Sequence, residues 1–218
     1  MDCQALEKGL VFLFLWMTDT FLTLAGPSLA QYKEKGSRFL AHAYPVESEA
    51  AVKTQLTMLR KEFYDATHHC YAYLLGKDQK IFRANDDGEP HGTAGLPILN
   101  QIRAKQLTNV LIVVVRYYGG TNLGASGLVN AYKLATAAAL AAAQLVDQIM
   151  TQQLQLQFDH HSMNAVMKVV KDYQLAVVDQ QFDNLCTLTL QVRERHLAEV
   201  IGKLQGHAAI VTEAGPDK

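Results

Sequence analysis

The acidic turn Asp86-Asp87-Gly88-Glu89 and the basic, aromatic turn Arg116-Tyr117-Tyr118-Gly119-Gly120 hold the residue types that most readily do chemistry in this chain. Three carboxylates on one turn offer oxygen ligands to a hard cation such as magnesium, or an acid–base pair. The alternative is turn chemistry, in which Asp and Gly set the backbone and a carboxylate caps the helix that follows. No second acidic cluster stands nearby to complete a two-metal site. On the other turn, Arg116 suits phosphate, and Tyr117 or Tyr118 can stack on a base, one ring facing outward and one inward. Gly119, Gly120 and Gly124 allow backbone to approach a ligand, and Thr93 opens a helix after the first turn. Helix starts carry unpaired, partly positive N–H groups that favour anions. Lys133, with Lys35 and Arg38 as neighbours, completes the cations of a candidate phosphate-binding cleft.

Other readings of these residues are weaker. The glycine spacing matches neither GxGxxG nor GxxxxGK[ST], which disfavours a kinase or nucleotidase built on those loops. His68, His69 and Cys70 invite a thiol or metal reading, but strand alternation puts His68 and Cys70 on one face and His69 on the other. Nothing in the sequence supplies their missing partners.

The elements that must position the two turns follow from periodicity. Tyr32 to Tyr44 reads as one strand, bent or bulged at Gly36. Val52, Leu56, Leu59 and Phe63 recur at helical spacing within Glu47 to Phe63. His68 to Leu75 and Ile81 to Arg83 read as strands joined through the turn at Gly76. A helix is expected from about Thr93 to Gln106, with Pro97 near its start. Val110 to Val115 is continuously apolar, as a strand covered on both faces should be. The second glycine turn then opens an alanine-rich helix from about Ser126 to Leu145. Beyond Val146 the order becomes β-α-β-β-α-β: Gln152 to Phe158, a stripe through Met163 and Val170, Leu175 to Val178, Cys186 to Val192, a stripe through Leu197 and Leu204, and Ala208 to Val211. That order is the ferredoxin-like pattern.

Composition is that of an ordinary soluble globular chain, 49% apolar and 19% charged. The net charge of −1 is unevenly divided, about +4 over residues 30 to 145 and about −3 beyond. The basic share falls on the segment with both glycine turns, although committed nucleic-acid binders are usually far more basic. Three sparse cysteines, Cys3, Cys70 and Cys186, argue for free thiols in a reducing compartment. Leu10 to Met17 is too short for a membrane span and poorly flanked for a signal peptide. Met17 offers an alternative start, which makes the residues before it an upstream extension and the protein cytoplasmic, with no membrane partner. Gly215 to Lys218 reads as a frayed tail.

Lys35-Gly36-Ser37-Arg38-Phe39, His68-His69-Cys70, Asp86 to Pro97 and Val113 to Tyr132 together resemble the motifs of the IMPACT family, whose short bacterial members are the YigZ-like proteins. The resemblance covers roughly residues 30 to 218, with Ser126 standing where the family usually has glycine. It implies an α+β protein of two domains: a ribosomal-protein-like α/β domain over 21–145 and a ferredoxin-like domain over 146–214, preceded by an extension over 1–20. Both domains are similar to domains of elongation factor G, so RNA or the ribosome is the partner the resemblance implies. Eukaryotic members regulate translation through a further N-terminal domain, and that domain's own partner is not carried over to this chain. The leading expectation is a non-enzymatic RNA- or ribosome-binding protein. Its rivals are a metal-assisted hydrolase using Asp86, Asp87 and Glu89, and a protein-interaction module using the second sheet.

Overall fold

The computed structural model describes residues 19–76 and 78–214. The proposed start at Met17, nearly all of the 1–20 extension and the expected tail at 215–218 lie outside the described residues. Two compact units are present, Phe21–Gln148 and, with Asp19 and Thr20, the segment from Ile149 onward.

The first unit is built on a five-stranded antiparallel sheet of β2 (Ser28–Glu34), β3 (Ser37–Pro45), β4 (His68–Leu75), β5 (Ile81–Asn85) and β6 (Val110–Tyr117), in the order β2-β3-β6-β4-β5. Its central strand, β6, is buried on both faces, which is why it lacks alternation. Val110, Ile112 and Val114 belong to a core shared with α2 (Gly95–Ala104) and α3 (Gly124–Ala142), while Leu111, Val113 and Val115 belong to a second core under α1 (Glu49–Glu62). Ser48 caps α1 by accepting from the Ala51 N–H at 3.2 Å, and Glu49 and Arg60 sit at the ends that the helix dipole favours.

The expected bent strand over Tyr32 to Tyr44 is instead two strands. Lys35 and Gly36 both have positive φ, 45° and 81°, and form the two-residue turn of the β2–β3 hairpin. Two further strands, β1 (Thr20–Leu24) and β7 (Leu145–Ile149), pair with each other.

The second unit runs β8 (Thr151–Phe158), a 3-10 turn at His160–Ser162, α4 (Met163–Asp172), β9 (Ala176–Phe182), β10 (Cys186–Arg193), α5 (Glu194–Leu204) and β11 (Ala209–Ala214). Sheet order β11-β8-β10-β9, antiparallel throughout, is the ferredoxin-like arrangement. Leu154, Leu156, Leu188 and Leu190 point into a core with Val166 and Val200 of the helices. The opposite face carries Gln153, Gln155, Gln157, Thr187 and Thr189 by strand alternation. Among the described residues no helix is long and apolar enough to cross a membrane.

Candidate functional site

The carboxyl end of β6 delivers Arg116 to the α2/α3 face of the sheet, in register with Phe39 of β3 and His68 of β4. Arg116 is buried, 5% exposed. Its Nη1 donates to Glu89 Oε1 at 2.5 Å and its Nη2 to Ser37 Oγ at 3.3 Å. A buried cation is tolerated only with such partners, because desolvation without them costs several kcal/mol (roughly). Glu89 Oε1 also accepts from Tyr132 Oη at 2.8 Å, and Tyr132 Oη accepts from Cys70 Sγ at 3.2 Å. The His68 ring closes the cluster: Nδ1 lies 2.8 Å from the Asp87 carbonyl, which can only accept, so Nδ1 carries the proton. Nε2 then faces Glu89 at 3.9 Å.

The three carboxylates of the acidic turn do not converge. Asp86 accepts from the N–H groups of Gly92, Ala94 and Gly95 at 2.8, 3.0 and 2.8 Å, and so caps α2, whose own N-cap residue, Ala94, has no side chain for the task. Burial pushes the Asp86 carboxyl upward, but these three donors outweigh it and hold it below the usual carboxylate range. Asp87 binds Arg60 at 2.8 Å and the His69 N–H at 2.7 Å. Glu89 turns inward to Arg116. Among the described residues no group of three or more His, Cys, Asp or Glu is placed to hold a metal ion. The oxygens of Asp86, Asp87 and Glu89 are thus directed at donors in three directions, an arrangement of capping and pairing.

The cysteine in this cluster is chemically quiet. Burial, above all, pushes the Cys70 thiol up, against the relief given by Tyr132. A thiol held protonated is a poor nucleophile.

Of the exposed groups, Tyr118 lies beside the buried pair on the α2/α3 side, whereas Arg38 and Tyr117 lie on the α1 side of the sheet. Arg38 stacks its guanidinium on the Tyr117 ring, 4.7 Å from the centroid, and Tyr117 Oη donates to Asp65 at 2.9 Å. Tyr117 is half-buried on the α1 side, whereas Tyr118 is 47% exposed, with its ring 5.6 Å from the Arg116 guanidinium. Gly119 donates its N–H to Ser37 Oγ at 3.2 Å, which ties the second glycine turn to the β2–β3 hairpin and sets exposed Lys35 and Arg38 beside it. Gly120 and Gly124 have φ of 83° and 72°, with open space where a side chain would stand.

The thirteen residues singled out by sequence thus separate into groups. Arg38 and Tyr117 stack on the α1 side, Tyr118 lies by Arg116 on the α2/α3 side, Gly119 lies against the Lys35–Gly36 turn, and Gly124 begins α3. Arg116 is buried, its two terminal nitrogens engaged by Glu89 and Ser37 and its Nε without a partner. Thr93 is buried and closes its own turn by donating to the Pro90 carbonyl at 2.7 Å. Lys133 is exposed on α3, about 13 Å along the helix axis from Gly124. Sequence reasoning missed Ser37 and Tyr132. The hydroxyl beside Gly36 was a visible signal for Ser37, but nothing local marks Tyr132.

The fold and the cluster define a two-unit α+β protein in which a buried Arg–Glu pair supports an exposed glycine turn. Residues 35–140 match the model of the Impact N-terminal domain. The chain is 32% identical to the IMPACT family member YigZ of Escherichia coli over 190 residues, 85% of this chain and 92% of that one. It is 44% identical over 96 residues to the IMPACT family member YvyE of Bacillus subtilis, a match spanning 44% of each. The solved structure of a hypothetical protein superposes with a TM-score of 0.69 at 28% identity, covering 91% of this chain and 98% of that one. The chain belongs to the IMPACT family.

Proposed function

We propose that the protein is a cytoplasmic, translation-related binding protein whose first unit holds RNA or a ribosomal element on the surface formed by Lys35, Arg38, Tyr118 and the Gly119–Gly120 turn. The observation that carries this reading is the exposure of two cations, Lys35 and Arg38, on a hairpin whose Ser37 is tied both to the open Gly119–Gly120 turn and to buried Arg116. Cations position a phosphate backbone, and a turn without side chains lets that backbone come close. Family membership supports the same reading through the translational role that the resemblance implies.

The test is fluorescence anisotropy of a labelled structured RNA across a salt series, with the Arg38→Glu and Lys35→Glu variants beside the unaltered chain. Binding that weakens with salt, and that loses about one counterion's worth of slope in each variant, is the expected result. An affinity independent of salt and of both substitutions would remove the surface as an RNA site.

A further inference from the structure

A cavity of about 230 Å³ opens at one end of the second unit's sheet, where β10 gives way to α5. Gln191 and Arg193 lie on the face of β10 turned away from the helices. The register sets Ala176 of β9 beside Gln191, and Thr151 of β8 beside Arg193, on that same face. At the strand ends this face meets the turn after α4, with Tyr173 and Leu175, and the first turn of α5, with His196. Ile149, Leu175, Ala176 and the Tyr173 ring make one side of the cavity apolar.

The polar side offers mostly donors. Arg193 is exposed, and its guanidinium makes no hydrogen bond, ion pair or ring contact with another described residue. Thr151 Oγ1 accepts from Gln191 Nε2 at 2.8 Å, which leaves the threonine O–H to be donated elsewhere. Arg195 Nε can only donate and lies 3.0 Å from His196 Nε2, so the His196 proton is on Nδ1. Arg195 is itself held by Asp19 at 3.4 Å, and the His196 and Tyr173 rings meet edge to face at 5.7 Å, so both rings are positioned. None of the described residues that line the cavity is acidic. An unpaired guanidinium with further donors and no competing carboxylate selects an anion, and its planar fork matches a carboxylate.

We propose that this cavity binds a small monocarboxylic acid, with its carboxylate on Arg193 and Thr151 and its apolar body against Tyr173, Leu175 and Ile149. Apolar walls with a few convergent polar groups are the usual make-up of a small-molecule site, and a volume below that of a drug-sized pocket restricts the occupant to metabolite size. A single unopposed guanidinium balances a monoanion, and a bare ion such as phosphate would leave the apolar side wet. The site lies wholly within the second unit and is independent of the RNA reading of the first.

The experiment titrates the isotopically labelled full chain by NMR with phenylacetate, phenylacetamide and inorganic phosphate, in the unaltered protein and in Arg193→Gln and Ala176→Leu. Both substituted residues are exposed, so the unliganded Tm should be unchanged. The expected result is saturable phenylacetate shifts at Thr151, Ala176 and His196, weakened about tenfold by Arg193→Gln and abolished by Ala176→Leu, which fills the apolar side. Phenylacetamide and phosphate should each bind about tenfold more weakly than phenylacetate. Equal affinity for the amide overturns the carboxylate assignment, and equal affinity for phosphate overturns the role of the apolar side. Binding that survives Ala176→Leu, or no saturation with any probe, overturns the site itself.

Discussion

Gly119 touches the backbone of Gly36: a Cβ added to Gly119 would lie 1.9 Å from the Gly36 carbonyl carbon and 2.2 Å from the Ser37 nitrogen. Any side chain at Gly119 must therefore push the β2–β3 hairpin off the turn. Gly119→Ala is expected to destabilise the chain by about 1–3 kcal/mol and to weaken RNA binding, because Lys35 and Arg38 move with the hairpin. Gly120→Ala has room and meets only the strain of a positive φ, so it should cost about 1 kcal/mol. Urea unfolding of the two variants checks the order; equal losses would contradict it.

Glu89 neutralises a cation that water cannot reach. Glu89→Ala should cost about 3–5 kcal/mol, since it leaves Arg116 charged and unpaired. Replacing both, Glu89→Leu with Arg116→Met, should cost less than the sum of the single changes. A double-mutant cycle by denaturant unfolding measures the coupling, and strict additivity would show that the pair holds nothing together.

The face under α1 sets a pH response. His42 and His69 each have a buried Nε2 without a partner, and burial lowers both pKa values, opposed by Glu62 for His42 and chiefly by Asp87 for His69. The unfolded chain takes up these protons near the ordinary value of 6.5, before the folded chain does. Stability from the two rings is thus complete above that value and is lost as pH falls below it, towards the folded pKa values. Unfolding free energies measured from about pH 8 to about pH 5 should decline, and less so in His42→Phe.

Thiol chemistry should be silent in the native state. Cys70 and Cys186 are fully buried. In a Cys3→Ser variant, a chromogenic disulfide reagent is expected to react only on addition of denaturant. Prompt release from the folded protein would show that the Cys70 cluster opens.

The parts of this fold written in short-range pattern were legible in the sequence. Val110 to Val115 announced a doubly covered strand, and the stripes through Val52 and Val166 announced helices. The hairpin over Ser28 to Pro45 was not legible, because β2 is an edge strand whose residues alternate between exposed and half-buried and carry little apolar signal. The strands β1 and β7 are short and escaped for the same reason. Within the site, the capping role of Asp86 was readable from its turn, since a carboxylate before a helix start has that ordinary use. The burial of Arg116 was not readable: its partners lie far along the chain, Ser37 reaching it from β3 beside β6 and Glu89 from the turn after β5. An arginine followed by two tyrosines looks like a surface reader until those contacts are known.

The pairing of β1 with β7 sets the two chain ends of the first unit side by side, hydrogen-bonded in one ribbon. Such a unit behaves as a cassette. It can be excised, permuted or spliced into another polypeptide with a single attachment point and no gap to bridge, because neighbouring termini are what domain insertion requires.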